Sequence, residues 1–308
     1  MLLAGIALSA AHQPSATATH ELSFAVPYPV LQKTLEADIA SQHQTVKVNW
    51  VDLLACLAAQ YQGDFSLYCD DDLNRLLYVL QAGSSIERLA APYPDYPSYR
   101  QLYGAVLDGL TGYEDTVAEN GSGQAAVVSS YGLKGCFPLA DGVSYEHYDD
   151  FGAERTYGYV RPHLGHDLLC AVGTPIVAVE DGTIEAIGWN RYGGWRIGIR
   201  SNDRQRYYYY AHMQEDHPYH PRCYLGAYIH AGEVIGYVGR TGYSETENVS
   251  NISVPHLHIG LEIILDEQER NNGHEIWIDL YALTTLLEQH KTEVRWNSTS
   301  KEFDACAP

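Results

Sequence analysis

Basic residues are scarce in this chain. Of its 308 residues, 19 are Lys or Arg and 39 are Asp or Glu, which gives a formal net charge of −20 at pH 7. No Lys/Arg-rich run interrupts that excess of acid. Because a surface of this sign repels phosphate backbones, the composition excludes nucleic acid as an expected partner.

Closely spaced cysteines are also absent. The six cysteines form no CxxC pair, so neither a thiolate zinc site nor a thioredoxin-like motif is predicted. Their wide spacing differs from the dense framework of small disulfide scaffolds. The sequence leaves open whether one or two long-range bridges form or all thiols are free, and the residues are Cys56, Cys69, Cys136, Cys170, Cys223 and Cys306.

Apolar runs are short throughout, and no segment is predicted to cross a membrane. The run at residues 2–10 is too short to span a bilayer. After it, Ala16-x-Ala18 resembles the small-residue cleavage site of a secretory signal, although no Lys or Arg precedes the run. We interpret residues 1–20 as the remnant of an export signal, with an incidental chain start as the alternative. We therefore expect an extracellular or cell-surface protein, membrane-anchored if the native form is longer.

The first half of the chain has helical periodicity. Asn49 is a predicted N-cap for a helix at residues 50–60, where Leu53, Leu54 and Leu57 recur at helical spacing. Further helices are predicted from residue 70 to near Gly83 and over residues 99–110. We predict a helical domain of unknown role at residues 21–112, followed by a linker at residues 113–130.

The second half has the pattern of short strands separated by glycine turns. Asp181-Gly182 indicates a hairpin turn between strands at residues 174–179 and 183–187. A helix is predicted over residues 276–293. The predicted fold class is α+β, with an N-terminal helical domain, a mostly antiparallel β-sheet domain at residues 131–308 and a C-terminal helix. The other predicted strands are residues 195–201, 205–213, 233–238 and 256–265.

Histidine and aspartate residues with metal-ligand spacing lie in this second half. His163 and Asp167 are separated by three residues, and His256 and His258 stand at i and i+2, which on a strand point to the same face. A catalytic zinc site needs three protein ligands and an open position. Two imidazoles and the carboxylate meet that count, leaving one strand histidine free to act as a base. The helical HExxH motif is absent from the chain.

Several motifs, in order along the chain, resemble the M23 (lysostaphin/LytM-type) zinc metallopeptidases over about residues 151–265. By this resemblance, His163, Asp167 and His258 match the zinc ligands, and His212 and His256 match the two catalytic histidines that do not bind metal. Because all five are present, the resemblance argues against the inactive branch of the family. The motifs are His163–Asp167, Gly173-Thr174-Pro175, Asp181-Gly182-Thr183, Tyr210-Ala211-His212-Met213, Gly232-Glu233-Val234-Ile235-Gly236, Gly239-Arg240-Thr241-Gly242 and Pro255-His256-Leu257-His258.

The resemblance implies an endopeptidase that hydrolyses peptidoglycan peptides, in the stem or the cross-bridge. One alternative is a non-catalytic module of the same fold that binds peptidoglycan or a partner protein. Another is a zinc peptidase that acts on protein. The helical domain is the segment expected to contact an envelope protein partner or to cover the groove.

Roles for individual side chains follow from the implied mechanism. Zinc would lower the pKa of bound water toward about 7, His256 would take the water's proton, and His212 would donate a hydrogen bond to the oxyanion. Tyr208 and Tyr210 alternate with the same parity as His212, so they are groove candidates, with sheet packing as the alternative. His166 is expected to pack locally.

Overall fold

The computed structural model describes residues 23–119 and 125–306. The predicted export-signal remnant lies outside these residues. None of the helices in the described segments is long and apolar enough to cross a membrane.

Five α-helices and a short 3-10 helix (Phe65–Leu67) form the N-terminal part of the described chain. Helix α2 lies at their centre, with nearly all of its side chains buried. It begins as predicted, because the Asn49 Oδ1 atom accepts hydrogen bonds from the backbone N–H groups of Val51 at 2.9 Å and Asp52 at 3.2 Å. The helices are α1 (Tyr28–Ser41), α2 (Trp50–Tyr61), α3 (Asp70–Gln81), α4 (Ile86–Ala90) and α5 (Tyr96–Leu107).

A β-hairpin occupies most of the predicted linker. Strand β1 (Thr111–Glu119) pairs antiparallel with β2 (Ala125–Leu133) along its whole length. The aromatic pair Tyr113 and Tyr131 packs across the two strands with ring centres 5.2 Å apart. Sequence periodicity does not show a contact between two strands. The acidic and glycine residues of this segment therefore led to the prediction of a linker. The domain boundary itself stays a prediction.

An eight-stranded sheet forms the second half, and every pairing in it is antiparallel. In chain order the elements after the hairpin are β3 (Tyr145–His147), β4 (Glu154–Arg155), β5 (Arg161–Pro162), β6 (His166–Cys170), β7 (Pro175–Val177), β8 (Gly182–Asn190), β9 (Gly194–Ser201), β10 (Arg206–Ala211), β11 (Tyr228–Ile229), β12 (Val234–Tyr237), β13 (His256–Ile263), α6 (Glu267–Asn271), β14 (Ile276–Ile278), α7 (Tyr281–Leu287), β15 (Val294–Asn297) and β16 (Glu302–Ala305). The strand order is β11-β8-β9-β10-β13-β6-β3, and β14 adds to β13. The α+β fold class is therefore confirmed.

The two faces of the sheet have opposite character. On one face, alternate side chains such as Ile197, Tyr208 and Ile259 are buried in an apolar core that also contains residues of the N-terminal helices. The other face carries their neighbours in the alternation, including His258 and Tyr209, which line a groove together with Arg270 of α6. The open face is where a groove can form.

One prediction about a β connection is wrong. The Asp181-Gly182 turn does not join a hairpin, because β7 pairs with β12 and β8 pairs with β9 and β11. Between β7 and β8, the carboxylate of Glu180 is drawn inward to the buried Arg206 guanidinium at 2.7 and 3.0 Å. That long-range ion pair stabilises a connection in which β7 and β8 do not pair with each other.

The predicted C-terminal helix at residues 276–293 is also wrong in extent. Its first part is strand β14, which pairs with the end of β13, and only α7 is helical. The unpaired edge of β13 accounts for this, because three residues of β14 satisfy it with backbone hydrogen bonds. In the described residues the chain ends with the hairpin β15–β16 instead of a helix.

Candidate metal centre and catalytic groove

Two neighbouring strands and the loop before them position the predicted ligands. Asp167 on β6 lies directly opposite His258 on β13 in the antiparallel register. His163 lies three residues before the start of β6 and is 4% exposed. The sheet register thus brings together residues that are 91 positions apart in sequence.

The three donor atoms form a compact triangle. The His163 Nε2 atom lies 2.8 Å from the Nδ1 atom of His258 and 3.1 Å from the Oδ1 atom of Asp167. The His258 Nδ1 atom lies 3.2 Å from the same Oδ1 atom. Tetrahedral zinc with bonds of about 2.0–2.2 Å separates its ligand atoms by about 3.3–3.6 Å. The donor set therefore fits zinc in chemistry, and in geometry after an expansion of a few tenths of an ångström.

Asp150 orients the imidazole of His163. The His163 Nδ1 atom lies 3.1 Å from the Asp150 backbone oxygen and 3.2 Å from its Oδ2 atom. Both oxygens can only accept, so Nδ1 carries a proton, and Nε2 faces the other two donor atoms, where it can bind a metal once it has lost its own proton. The Nη2 atom of Arg155 also lies 3.0 Å from Nδ1. Because a guanidinium nitrogen can only donate, it cannot accept the Nδ1 proton. A carboxylate behind a ligating histidine is the usual arrangement in metal sites.

Arg155 fixes the orientation of Asp167. Its Nη2 atom lies 2.5 Å from Asp150 Oδ2 and 3.1 Å from Asp167 Oδ2, which leaves Asp167 Oδ1 directed at the two histidines. Burial raises the pKa of the Asp167 carboxyl, but hydrogen bonds from His163 and His258 outweigh it and hold that pKa well below its usual range. Asp167 is therefore ionised, as a metal ligand must be.

His212 and His256 lie beside the ligands, with ring centres 4.8 Å apart. The Nδ1 atom of His212 is 2.9 Å from the backbone oxygen of Thr241, and that of His256 is 2.8 Å from the oxygen of Val254. Each Nδ1–H donates to a carbonyl, so each ring in its neutral form offers a lone pair at Nε2. Burial, together with the neighbouring histidines, lowers the pKa of His212 well below its usual value, so this ring is neutral. The His256 Nε2 atom lies 3.7 Å from Asp167 Oδ1.

A groove of about 390 Å³ passes over this cluster on the open face of the sheet. Tyr209 forms part of its floor, with its hydroxyl accepting a hydrogen bond from Asn190 at 3.1 Å and its ring 5.8 Å from that of His258. The lining includes Arg155, Arg161, Tyr192, Arg196, Tyr207, Tyr209, His212, Tyr243, His258, Glu262, Arg270, Glu275 and Trp277.

The part of the chain that contains this site matches a known protein family. Residues 161–272, which include all five of the clustered side chains, match the model of peptidase family M23. The chain contains a domain of that family.

Two named relatives are similar to part of this chain. The L-Ala–D-Glu endopeptidase of Bacillus subtilis is 34% identical over 141 residues, which are 46% of this chain and 40% of that protein. Lysostaphin of Staphylococcus simulans is 37% identical over 97 residues, which are 31% of this chain and 17% of lysostaphin. The chain thus spans less than half the length of either relative.

The fold is shared over a longer stretch. A crystal structure of a Ruminococcus gnavus protein, named as a candidate glycyl-glycine endopeptidase LytM, superimposes with a TM-score of 0.52. The match covers 85% of this chain and 96% of that one at 19% identity. At this identity the match shows the fold, including the helical part that precedes the M23 domain.

Two predicted groove residues do not line the groove of the M23 domain. Tyr208 and Tyr210 are 1% and 0% exposed in the core, where Tyr210 accepts a hydrogen bond from the backbone N–H of Val179 and Tyr208 donates to Glu180. The prediction assumed strict alternation through His212. His212 instead has a φ of 61°, a left-handed conformation that ends the strand and turns its side chain to the face of Tyr209.

The sequence patterns did not predict two other side chains of the site. Asp150 was missed because it is part of no motif, and only the fold brings it against His163. Tyr209 was placed on the opposite face to His212 by the same alternation error. His166 packs locally as expected, since it is fully buried with its Nε2 atom 3.2 Å from that of His147, and burial lowers its pKa to about 3.

Proposed function

We propose that this protein is a zinc-dependent endopeptidase that hydrolyses peptide bonds of bacterial peptidoglycan outside the cell membrane. The observation that carries the proposal is the triangle of His163, Asp167 and His258 donor atoms, 2.8–3.2 Å apart, with two further imidazoles beside it in an open groove. A binding module would need neither the complete donor set nor the second pair of histidines.

His163 Nε2, Asp167 Oδ1 and His258 Nδ1 would hold the zinc ion. Zinc in such a three-ligand site supplies Lewis acidity and lowers the pKa of water toward about 7. Asp150 and Arg155 keep the lone pairs of His163 and Asp167 directed at that position.

His256 is the proton acceptor in this proposal. Its Nδ1–H is held by Val254, and its Nε2 lone pair lies near Asp167, on the strand face shared with His258. Once it holds the proton, the Nε2–H group can deliver it to the leaving amine.

The role that we propose for His212 differs from that of the oxyanion donor, which its motif predicts. Its proton lies on Nδ1 and its burial favours the neutral ring, so its Nε2 atom accepts a hydrogen bond and cannot donate one. We therefore assign His212 as a second acceptor that orients the attacking water, and as a donor to the oxyanion only after it takes up a proton.

Peptidoglycan is proposed as substrate because a relative from Vibrio cholerae, 31% identical over 101 residues, is named a peptidoglycan DD-endopeptidase, and other relatives are named endopeptidases. Their names differ in the bond: one is an L-Ala–D-Glu endopeptidase, and a further relative, of Staphylococcus capitis, is a glycyl-glycine endopeptidase. The proposal covers both stem and cross-bridge peptides.

The test combines metal content with digestion of purified peptidoglycan, followed by mass analysis of the released peptides. We expect about one zinc per chain in the wild type and in His256→Ala and His212→Ala, with wall-lytic activity lowered at least roughly hundredfold in both variants. His258→Ala should lose both zinc and activity. The matched control is His230→Ala, because His230 has a side chain that is 67% exposed and lies outside the groove. Unchanged lysis by His258→Ala, or a protein that takes up no zinc, would overturn the proposal.

A further inference from the structure

The groove has the opposite charge balance to the rest of the chain. Its lining contains four arginines and three acidic residues, whereas the whole chain has 39 acidic and 19 basic residues. The chain has enough carboxylates to pair with every arginine of the groove. The lining residues are Arg155, Arg161, Arg196 and Arg270, with Asp167, Glu262 and Glu275.

Two of these arginines are neutralised within the protein. Arg155 is paired with Asp150 and Asp167, as described above. Arg270 lies 2.9 Å from Glu262 and 2.7 Å from Glu185. Their charges serve the internal structure of the site and are not free to bind a ligand.

Arg196 has no such partner among residues 23–119 and 125–306. It lies on β9, half-buried, on the groove face between the buried Ile197 and the strand end. Its guanidinium forms no ion pair or hydrogen bond with the described residues, and its Nε atom is shielded from solvent. A charged group removed from water without a partner costs free energy. An anionic ligand would supply the missing partner.

Arg161 is held in place without being neutralised. Its Nη1 atom donates to the backbone oxygen of Tyr157 at 3.0 Å, and its guanidinium carbon lies 4.7 Å from the ring centre of Tyr192. The ring of Tyr243 lies 5.7 Å away on the side towards His212. No carboxylate of the described chain pairs with it. These contacts orient the fork and leave its charge available.

Both arginines are close to the metal centre along the groove. Arg196 is one residue before Ile197, which pairs with Tyr210, and the next residue of β10, Ala211, pairs with His258. Arg196 and His258 are thus two strand spacings apart, roughly 10 Å at Cα, or about three residues of extended peptide. Arg161 is two residues from the ligand His163.

We propose that Arg161 and Arg196 bind carboxylates of the substrate, so that the groove selects acidic peptides over uncharged glycine bridges. This inference rests on the proposed function and narrows its substrate class to stem peptides with a free carboxylate within about three residues of the scissile bond. Arginine suits this role, because its planar fork matches a carboxylate with two parallel hydrogen bonds.

The test compares muropeptides whose D-Glu α-carboxylate is either free or amidated, with pentaglycine as the uncharged bridge. For the wild type we expect kcat/KM to be roughly 10- to 100-fold higher for the free carboxylate, the range of a charge-assisted hydrogen bond. Arg196→Gln and Arg161→Gln should each reduce that preference, because glutamine has no charge to pair with the free carboxylate. Arg88→Gln is the matched control, since Arg88 is exposed on α4 and forms no ion pair in the described chain.

Binding separates this inference from the proposed function. If no peptide is cleaved, the proposed function fails, and the affinities of the free and amidated peptides, measured by calorimetry on zinc-loaded protein, still test the arginines. Equal affinity or equal kcat/KM for the two peptides, preferred cleavage of pentaglycine, or a preference unchanged in both variants would overturn the inference.

Discussion

At the scale of single residues, Asp150 has consequences for two ligands at once. Its backbone and carboxylate oxygens fix the tautomer of His163, and its Oδ2 atom holds the guanidinium that orients Asp167. The residue touches no position where substrate would react. Its effect is on the readiness of the site to receive metal.

Asp150→Asn is therefore expected to weaken zinc binding roughly 10- to 100-fold while all three ligands remain. The amide keeps the size of the side chain but loses the charge that pairs with Arg155. Competition with a chelator of known affinity measures the change. Asp149→Asn, the exposed neighbour, is the control and should bind zinc like the wild type. Equal affinities for the two variants would contradict this account of Asp150.

At the scale of elements, the β9–β10 turn depends on one carboxylate. Asp203 accepts hydrogen bonds from the Ser201 hydroxyl at 2.7 Å and the Gln205 backbone N–H at 3.0 Å, and it lies 2.7 Å from the Arg206 guanidinium. Burial raises the pKa of Asp203, but Arg206 and these hydrogen bonds outweigh it and leave the pKa below its usual value. The turn sets the register of β10, the strand that leads to His212.

The low pKa of Asp203 predicts a pH dependence of stability. Because the folded state binds this proton less tightly than the unfolded state, the stabilisation is present above about pH 4 and is lost as the pH falls through the folded pKa. Asp203→Asn should lower the free energy of unfolding at neutral pH by about 1 kcal/mol, a modest value because the side chain is 35% exposed. Urea titrations between about pH 6 and pH 3 check this. A difference between variant and wild type that stays constant across that range would contradict it.

At the scale of the whole molecule, the N-terminal helices and the sheet share one buried core. Arg206 joins them through polar contacts: its 1% exposed side chain donates to the backbone oxygen of Ala105 at 2.9 Å, near the end of α5, and pairs with Glu180. Helix α7, which follows the sheet, packs on α1. The two parts are therefore expected to unfold together.

Arg206→Ala should lower the free energy of unfolding by about 3–5 kcal/mol, because it leaves Glu180 buried without its partner. Hydrogen exchange should show α5 and the sheet opening together in the wild type and α5 opening first in the variant. Arg204→Ala removes an exposed ion pair two residues away and should cost less than about 1 kcal/mol. Separate unfolding of helices and sheet in the wild type would contradict a shared core.

Local chemistry by itself determined much of this protein. The N-cap Asn49 and the apolar spacing after it predict α2 to within one residue, because a helix is stabilised by contacts three and four residues apart. The strands β9, β10, β12 and β13 follow from period-two alternation and glycine turns. The histidine and aspartate motifs named the metal-ligand candidates before any geometry was known.

Tertiary structure decided what depends on residues far apart in sequence. The positive φ of His212 places its side chain on the same sheet face as Tyr209. The Glu180–Arg206 ion pair lies in the connection where a hairpin turn was predicted. Asp150 reached His163, and Arg161 and Arg196 came to face one groove without acidic partners in the described chain. Periodicity reports only neighbours within a few positions, whereas burial, charge pairing and the face that a strand presents are set by the elements packed against it.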